Sequence, residues 1–303
     1  MIDINLTLPD GYLEAEERDG YLVSKETKEI WAVELDLLNE FIRVCDKYQI
    51  KYYADGGTIL GAVRHGGFIP WDDDIDLVMK RGEFNRLNKI ASSEFKYPYF
   101  WQTEETDPGS FRGHAQLRNS LTTGILKAEA DYKYKFNQGI FIDVFPMDYI
   151  PDNPDEQYAF FSDLERQQKK VWKYIYFSSR FQNHGEGIKR YLRKYFHYLL
   201  KKYSKENRPN RKFEKLMCSY NSNPTSFIGK LFFLPMKEKF IWEDKWFETE
   251  ITFPFEMMTL PVPAGYDEML TKFYGEWRIP SISKAGHGNI IFDVNKPYTE
   301  FFK

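Results

Sequence analysis

Four aspartates lie within five positions of the chain, between Trp71 and an apolar run: Asp72, Asp73, Asp74 and Asp76. Carboxylates this close repel one another and disfavour shared ionisation unless a positive charge lies among them. A bound cation would supply that charge. Oxygen ligands suit Mg²⁺ or Mn²⁺, and Mg²⁺ commonly completes its coordination with water and substrate phosphate. The cluster therefore predicts a metal site that acts on a phosphate ester.

The segment DIDLVMK predicts a β-strand that would hold part of this cluster. Asp74 and Asp76 would then share one face of the strand, with Cα atoms about 6.6 Å apart, a spacing that allows two carboxylates to bind one ion. Ile75 and Leu77 would point to the opposite face, into the core. The pair would be fixed on a packed element, which favours a preorganised site.

Just upstream, the Gly56-Gly57 pair separates a predicted strand, KYYAD, from a predicted helix, TILGAVRH, which begins at Thr58. Backbone N–H groups and a hydroxyl at a helix start can bind an anion such as phosphate. The alternative is an ordinary strand-to-helix turn. The combination with the acidic cluster favours the anion-binding interpretation.

Asp143 is the charged residue of another predicted strand, GIFIDVF. A charge in a run that otherwise favours burial must be compensated, either by a bound cation or by a neighbouring basic residue. The first possibility predicts that Asp143 meets Asp76 in space as a third carboxylate of the site, as a metal ligand or as the base that takes the acceptor proton.

Five basic residues are candidate contacts for a diphosphate. Arg64 and His65 end the helix that follows the glycine turn, and Arg118 lies in the predicted strand GHAQLRN. Lys284 and His287 lie in a glycine-rich stretch near the C-terminus. Each of these could equally be an ordinary surface residue.

A calcium-binding loop is the main alternative for the acidic cluster. Asp72, Asp74, Asp76 and Glu83 occupy the first, third, fifth and twelfth positions of an EF-hand loop. Leu77 stands where the sharp turn requires glycine, and the upstream GGFIPW cannot form the entering helix because its glycines and proline break it. Both features argue against an EF-hand.

Hydrophobic periodicity suggests how these residues are positioned. An amphipathic helix is predicted from Ser24 to Gln49, with Cys45 on its core side, and a hairpin is predicted around Pro254. The pattern is mostly helical over residues 155–220. We predict an α/β protein with a mixed sheet flanked by helices and a helical insertion. The expected organisation is a catalytic core over 1–150, a helical region over 151–240, and a segment over 241–303 that completes the catalytic domain.

The balance of 42 Lys plus Arg against 45 Asp plus Glu gives no global field that would favour nucleic acid as a partner. Cys45 and Cys218 match no metal-ligand spacing, and a disulfide framework would need more cysteines. The sequence shows no signal-peptide pattern and no long apolar run. We expect a cytoplasmic protein.

Residues 189–212 contain ten Lys or Arg and one acid, Glu206, with apolar side chains at helical spacing. A basic amphipathic helix of this kind can lie on the inner face of an anionic membrane. The alternative is a core helix with a solvated basic face, which we favour because amphipathicity alone does not distinguish the two.

The stretch GGTILGAVRHGGFIPWDDDIDLVM resembles the signature of the LicD family, the cholinephosphotransferase-like proteins that include the fukutin-related enzymes and have the nucleotidyltransferase fold. The resemblance continues at QLRN and GIFIDVFPMDYIP, and more loosely at YDEMLTKFYGEWRIPS and KAGHG. The 16 residues between Gly57 and Asp74 exceed the usual nucleotidyltransferase spacing but match the LicD signature.

This resemblance implies transfer of a phosphorylated alcohol, often phosphocholine, from a CDP-alcohol donor to a sugar hydroxyl of a glycan, which could be lipid-linked. It places metal-binding carboxylates at Asp74, Asp76 and Asp143, with Mg²⁺ or Mn²⁺ as cofactor. Two other functions remain open: a nucleotidyltransferase that uses an NTP and releases pyrophosphate, and a non-catalytic calcium- or carbohydrate-binding module.

Overall fold

The structure is a computed structural model that describes residues 4–110, 112–132, 134–179, 187–203, 207–281 and 289–301. The chain forms two compact units. The first comprises Met1–Met147 and Lys245–Lys303, and the second comprises Asp148–Asp244.

The described residues form 13 β-strands and eight α-helices. The strands are β1 (Glu16–Arg18), β2 (Tyr21–Val23), β3 (Tyr53–Ala54), β4 (Asp76–Lys80), β5 (Tyr99–Gln102), β6 (Ala115–Asn119), β7 (Thr123–Leu126), β8 (Ile140–Ile150), β9 (Phe227–Gly229), β10 (Ile241–Glu243), β11 (Glu250–Phe255), β12 (Met258–Pro263) and β13 (Ile290–Asp293). The α-helices are α1 (Lys25–Tyr48), α2 (Gly56–His65), α3 (Arg81–Glu94), α4 (Pro154–Ser179), α5 (Ile188–Tyr203), α6 (Arg208–Met217), α7 (Tyr266–Tyr274) and α8 (Tyr298–Phe301).

A mixed sheet organises the first unit, with strand order β3-β4-β8-β6-β5. β4 and β8 run parallel, whereas β3 pairs with β4, β6 with β8, and β5 with β6 in antiparallel fashion. Helices α1, α2 and α3 contact strands of this sheet. The predicted α/β class, a mixed sheet flanked by helices, is therefore confirmed.

Helix α1 provides much of the core of this unit. The Ser24 hydroxyl caps its start by accepting a hydrogen bond from the Thr27 N–H, and Gln49 ends it in the left-handed conformation. Its apolar stripe is buried, with Trp31 and Cys45 at 1% exposure or less. The predicted helix and the core position of Cys45 are confirmed.

The C-terminal hairpin differs from the sequence prediction in the position of its turn. Pro254 lies within β11, opposite Thr259, and the strands pair up to Phe255 and Met258. The turn is therefore Glu256 and Met257, and Glu256 takes a positive φ of 53°. β11 belongs to a two-stranded sheet, so each of its strands has an unpaired edge. Proline, which lacks an N–H donor, is tolerated within such an edge strand.

In the second unit, the last residues of β8 pair with β9, which pairs with β10. Helix α4 contacts both α5 and α6, and aromatic and aliphatic side chains such as Phe160, Leu164 and Phe213 are buried. The predicted helical character of this region agrees with α4, α5 and α6. Among the described helices of the chain, none combines the length and apolarity that crossing a bilayer requires.

Candidate active site

Asp76 and Asp143 lie opposite each other on the parallel strands β4 and β8. Partners at one register position point to the same face of a sheet, so both carboxylates leave the sheet on one side. The Asp143 N–H donates to Ile75 O at 2.9 Å, which continues the ladder past the first residue of β4. The predicted encounter of Asp76 with Asp143 is present in the structure.

The Asp143 carboxylate is held by two side chains from the β6 segment. His114 Nε2 lies 2.9 Å and Gln116 Nε2 2.6 Å from Asp143 Oδ1. The His114 ring packs against Phe145 with ring centroids 4.3 Å apart. Burial raises the pKa of Asp143, but His114, Gln116 and the nearby charge of Arg118 outweigh burial and hold that pKa below the usual aspartate range. Asp143 is therefore an ionised carboxylate whose side chain is only 16% exposed.

Arg118 is a buried residue rather than a surface one, and its contact with a diphosphate stays a prediction. Its side chain is 1% exposed, and its guanidinium donates to Gln102 Oε1 and Gly139 O, both at 2.6 Å, and to Gln116 Oε1. Gln116 thus links Arg118 to Asp143. Each of the three guanidinium nitrogens of Arg118 donates to a protein oxygen. Through the bond to Gln116, Arg118 orients the side chain that holds the Asp143 carboxylate.

Asp72, Asp73 and Asp74 form a second carboxylate group just before β4. Each offers an oxygen atom that lies within 4.8 Å of those of the other two, a spacing suited to a shared cation. The Trp31 indole N–H donates to Asp72 O at 2.9 Å and so ties this segment to α1. Burial, with Asp76 and Asp73 as like charges, raises the pKa of Asp72 to about 7.

The position of Asp74 differs from the prediction. Strand β4 begins at Asp76 rather than at Asp74, so the two aspartates are not neighbours on one strand face. Asp74 instead groups with Asp72 and Asp73 in the segment that leads into the strand. The candidate site therefore has a strand-borne pair, Asp76 with Asp143, and a loop-borne group to which Asp72 belongs.

The glycine turn is adjacent to these carboxylates. A Cβ atom added at Gly56 would lie 2.6 Å from Asp76 Oδ2, and one added at Gly57 would lie 2.2 Å from Asp72 Oδ2. Gly56 also has a positive φ of 53°. Both positions need glycine because the start of α2 and the acidic side chains approach so closely.

Thr58 has a different task from the predicted anion contact. Its hydroxyl accepts a hydrogen bond from the Asp76 N–H at 2.8 Å, and the residue is 2% exposed. It therefore fixes Asp76 rather than reaching towards a ligand.

Arg64 and His65 are not brought to the glycine turn. They lie in the last turn of α2, about 13 Å from Gly56 at a rise of about 1.5 Å per residue. Arg64 Nη1 donates to Trp277 O at 2.6 Å, and His65 Nδ1 lies 2.7 Å from an Asp19 carboxylate oxygen. The structure therefore places both residues at the end of α2 opposite to the glycines, and their contact with a diphosphate stays a prediction. Lys284 and His287 lie outside the described residues.

The structure adds two residues that the sequence prediction missed. Glu34 of α1 is 1% exposed, and burial together with Asp74 and Asp73 raises its pKa well above the usual range. At Tyr274, the last residue of α7, burial raises the phenol pKa, followed by the charges of Asp72 and its neighbours. The charges that raise the Tyr274 pKa belong to the acidic group, so Tyr274 lies near that group.

Signals for some of these residues are present in the sequence. His114, Gln116 and Arg118 alternate in GHAQLRN, and a period of two places their side chains on one face of a strand. Glu34 also has a signal in the sequence, because it lies three residues after Trp31 and four before Leu38, on the apolar face of the predicted helix.

The EF-hand interpretation is excluded. Positions that an EF-hand loop would use form strand β4, paired with β3 and β8. Glu83, which would be the twelfth ligand, lies in α3 and forms an ion pair with Arg86 at 2.6 Å.

Comparisons with known proteins agree on one family. Residues 49–178 match the family described as LicD/FKTN/FKRP, nucleotidyltransferase domain. The lipopolysaccharide cholinephosphotransferase LicD of Haemophilus influenzae is 28% identical over 250 residues, which cover 80% of this chain and 88% of the relative.

A second group of relatives matches a shorter stretch. The ribitol 5-phosphate transferases FKRP of human and mouse are 47% identical over 53 residues, which cover 18% of this chain and 11% of each relative. Over residues 49–178, which include the glycine turn, the acidic group and Asp143, the chain matches the LicD/FKTN/FKRP family.

Proposed function

We propose that this protein transfers a phospho-alcohol, phosphocholine or a similar group, from a CDP-alcohol donor to a sugar hydroxyl of a cell-surface glycan precursor. The observation that carries the proposal is the convergence of Asp76, Asp143 and the Asp72–Asp74 group at the glycine turn. The names of its relatives support the reaction class, since one is a cholinephosphotransferase and others are ribitol 5-phosphate transferases. We assign the catalytic role to the first unit.

The residues present fit a divalent cation. Asp72, Asp73 and Asp74 offer oxygen atoms within 4.8 Å of one another, and burial, together with the like charges of Asp76 and Asp73, raises the pKa of Asp72. Oxygen donors are those that Mg²⁺ and Mn²⁺ prefer. We propose that Asp74, Asp76 and Asp143 hold the ion, with Asp72 as a further candidate. When bound, it would neutralise charge on the phosphate oxygens.

The chain's own groups supply positioning. The start of α2, with Gly56 and Gly57, offers backbone N–H groups close to the carboxylates, where a diphosphate can lie. Thr58 and Trp31 fix the segments that carry Asp76 and Asp72. Such fixed geometry lowers the cost of aligning the acceptor hydroxyl with the phosphorus atom.

Asp143 has two proposed roles. Its Oδ1 receives His114 and Gln116, so Oδ2 is the atom through which it would either bind the ion or accept the proton of the acceptor hydroxyl. Its lowered pKa keeps it ionised for both roles. Glu34, which is buried, borders the same acidic group and would reduce its access to bulk water.

A donor screen tests the proposal. The full chain is incubated with Mg²⁺, a glycan acceptor and, separately, CDP-choline, CDP-ribitol or CTP, and the nucleotide product is identified. Release of CMP with phospho-alcohol on the acceptor is expected. Release of pyrophosphate from CTP would instead establish a nucleotidyltransferase, and no turnover of any nucleotide across a broad acceptor panel would contradict a catalytic role.

A cytoplasmic location belongs to the same proposal, because a chain with two cysteines needs no oxidising compartment. Fractionation of cells that produce the protein at native levels, with a reporter for each compartment, tests it.

A further inference from the structure

One face of α5, in the second unit, exposes apolar side chains to solvent. Ile188 is 75% exposed and Leu192 56% exposed, and Tyr195 and Phe196 are 43% and 59% exposed. Leu192 lies four residues after Ile188, and Tyr195 and Phe196 lie three and four residues after Leu192, so these side chains share one side of the helix. The expectation of a core helix whose apolar face is buried is therefore wrong for the N-terminal half of α5.

The same helix is strongly basic. Its sequence, IKRYLRKYFHYLLKKY, contains six Lys or Arg and no Asp or Glu. Lys189 and Arg193 are exposed and lie beside the apolar stripe on the helical wheel. Long basic side chains in that position can extend along the apolar surface and keep their charges at its edge.

We propose that this stripe, defined as Ile188, Leu192, Tyr195 and Phe196, docks the protein on an anionic lipid bilayer. Exposed apolar side chains gain free energy on entering the boundary of the acyl chains, and the flanking cations gain from the negative lipid headgroups. A soluble protein partner with an acidic groove would need only part of this pattern, whereas a bilayer matches both the unbroken cationic charge and the open apolar stripe.

The inference rests on the proposed function in one respect. A glycan precursor carried on a lipid is confined to a membrane surface, so a transferase that binds the same surface meets its acceptor at a high effective concentration. Docking itself requires neither donor nor acceptor and can be measured without them.

The experiment is vesicle co-sedimentation of the full chain. Vesicles of phosphatidylglycerol with phosphatidylcholine are compared with vesicles of phosphatidylcholine alone, at low and high salt. Binding to the anionic vesicles is expected, with weakening in high salt because the lipid charge is screened. No binding of the wild type to anionic vesicles at low salt would overturn the proposal.

Two variants separate the charge from the apolar stripe. Lys189→Gln with Arg193→Gln should lower partitioning about 25-fold, from about fivefold for each basic residue. Ile188→Ser with Leu192→Ser should lower it at least about tenfold. The matched controls are Lys89→Gln with Lys96→Gln, and Leu22→Ser, whose side chain is 70% exposed in the first unit; their partitioning should not change. Circular dichroism melts check that every variant folds.

Other results would overturn the docking proposal. If both α5 variants bind vesicles as the wild type does, the stripe is not the docking surface. If Ile188→Ser with Leu192→Ser instead converts a wild-type dimer into a monomer, and vesicles capture neither form, the stripe is an interface between two copies. CMP release measured on the same preparations bears on the proposed function alone, because absence of turnover leaves the vesicle result intact.

Discussion

Asp76 and Asp143 are register partners on neighbouring parallel strands, although an α-helix and three further strands separate them in the chain. The β4–β8 ladder fixes them backbone to backbone, so neither depends on a loop for its position. Because backbone hydrogen bonds hold the two positions, either side chain can be changed without moving the other, and the role of each can be tested on its own.

Asp76→Asn should abolish transfer without harming the fold. The change removes one charge from a repelling group, so the metal-free protein should be as stable as the wild type or slightly more stable. Activity should fall at least about 10²-fold, because the charge that holds the cation contributes several kcal/mol to the transition state. Activity and thermal melts in EDTA measure the two effects. Asp46→Asn, at an exposed aspartate of α1, serves as the control; loss of folding with full activity per folded molecule would contradict the assignment.

Asp143→Asn should leave donor binding intact and slow transfer by roughly 10² to 10⁴, the range attributed to a positioned acid–base group. The Mg²⁺ titration of the residual activity distinguishes its two roles. If Asp143 is a ligand, the variant should need much more Mg²⁺ or Mn²⁺. If it is the base, the metal requirement should hardly change and the pH–rate profile should lose its acidic limb. A fully active variant would contradict both roles.

His114→Ala should move the acidic limb of the pH–rate profile to higher pH. Burial raises the pKa of Asp143, and His114 is the largest of the influences that lower it. Without that ring, the carboxylate should protonate at a higher pH, so activity should be lost earlier as the pH falls. Initial rates across pH measure the shift. His65→Ala, at the distant end of α2, should leave the limb in place; an equal shift in both variants would indicate a general effect.

The sequence predicted the parts of this site that follow from local patterns. The apolar stripe of α1, the glycine turn, and the position of Asp143 among buried apolar residues are local features, and each is present. Pairing between distant strands is not local. The start of β4 at Asp76 is set by its register with β3 and β8, which periodicity alone does not determine.

The basic residues illustrate the same limit. Arg118 is a candidate phosphate contact by residue type, because arginine is suited to phosphate. Its hydrogen bonds to Gln102 of β5, Gln116 of β6 and Gly139 before β8 form only when these distant segments pair, which residue type does not reveal. Arg64 and His65 lie away from the glycines because helix length, rather than residue type, determines which end of α2 meets the carboxylates. Residue type indicates chemistry, whereas tertiary pairing decides which groups are available for it.

The metal-free protein should lose stability as the pH rises towards neutrality. Burial, with the charges of Asp76 and Asp73, raises the pKa of Asp72 to about 7, whereas an unfolded aspartate titrates near about 3.9. Between these values the folded state holds a proton that the unfolded state has released, so the free energy of unfolding should decrease from about pH 4 to about pH 7, by at most about 4 kcal/mol. Glu34, whose pKa is also raised, should act in the same direction.

Thermal melts in EDTA across this range measure the slope. Asp72→Asn should flatten it substantially, and Asp72→Asn with Glu34→Gln should flatten it further, while Asp46→Asn should leave it unchanged. Mg²⁺ should stabilise the wild type more at pH 8 than at pH 5, because a cation binds the ionised carboxylates and competes with the proton. Equal slopes in the wild type and Asp72→Asn would show that Asp72 is ionised well below neutrality. Stabilisation by Mg²⁺ that is independent of pH would show that the ion does not bind at this acidic group.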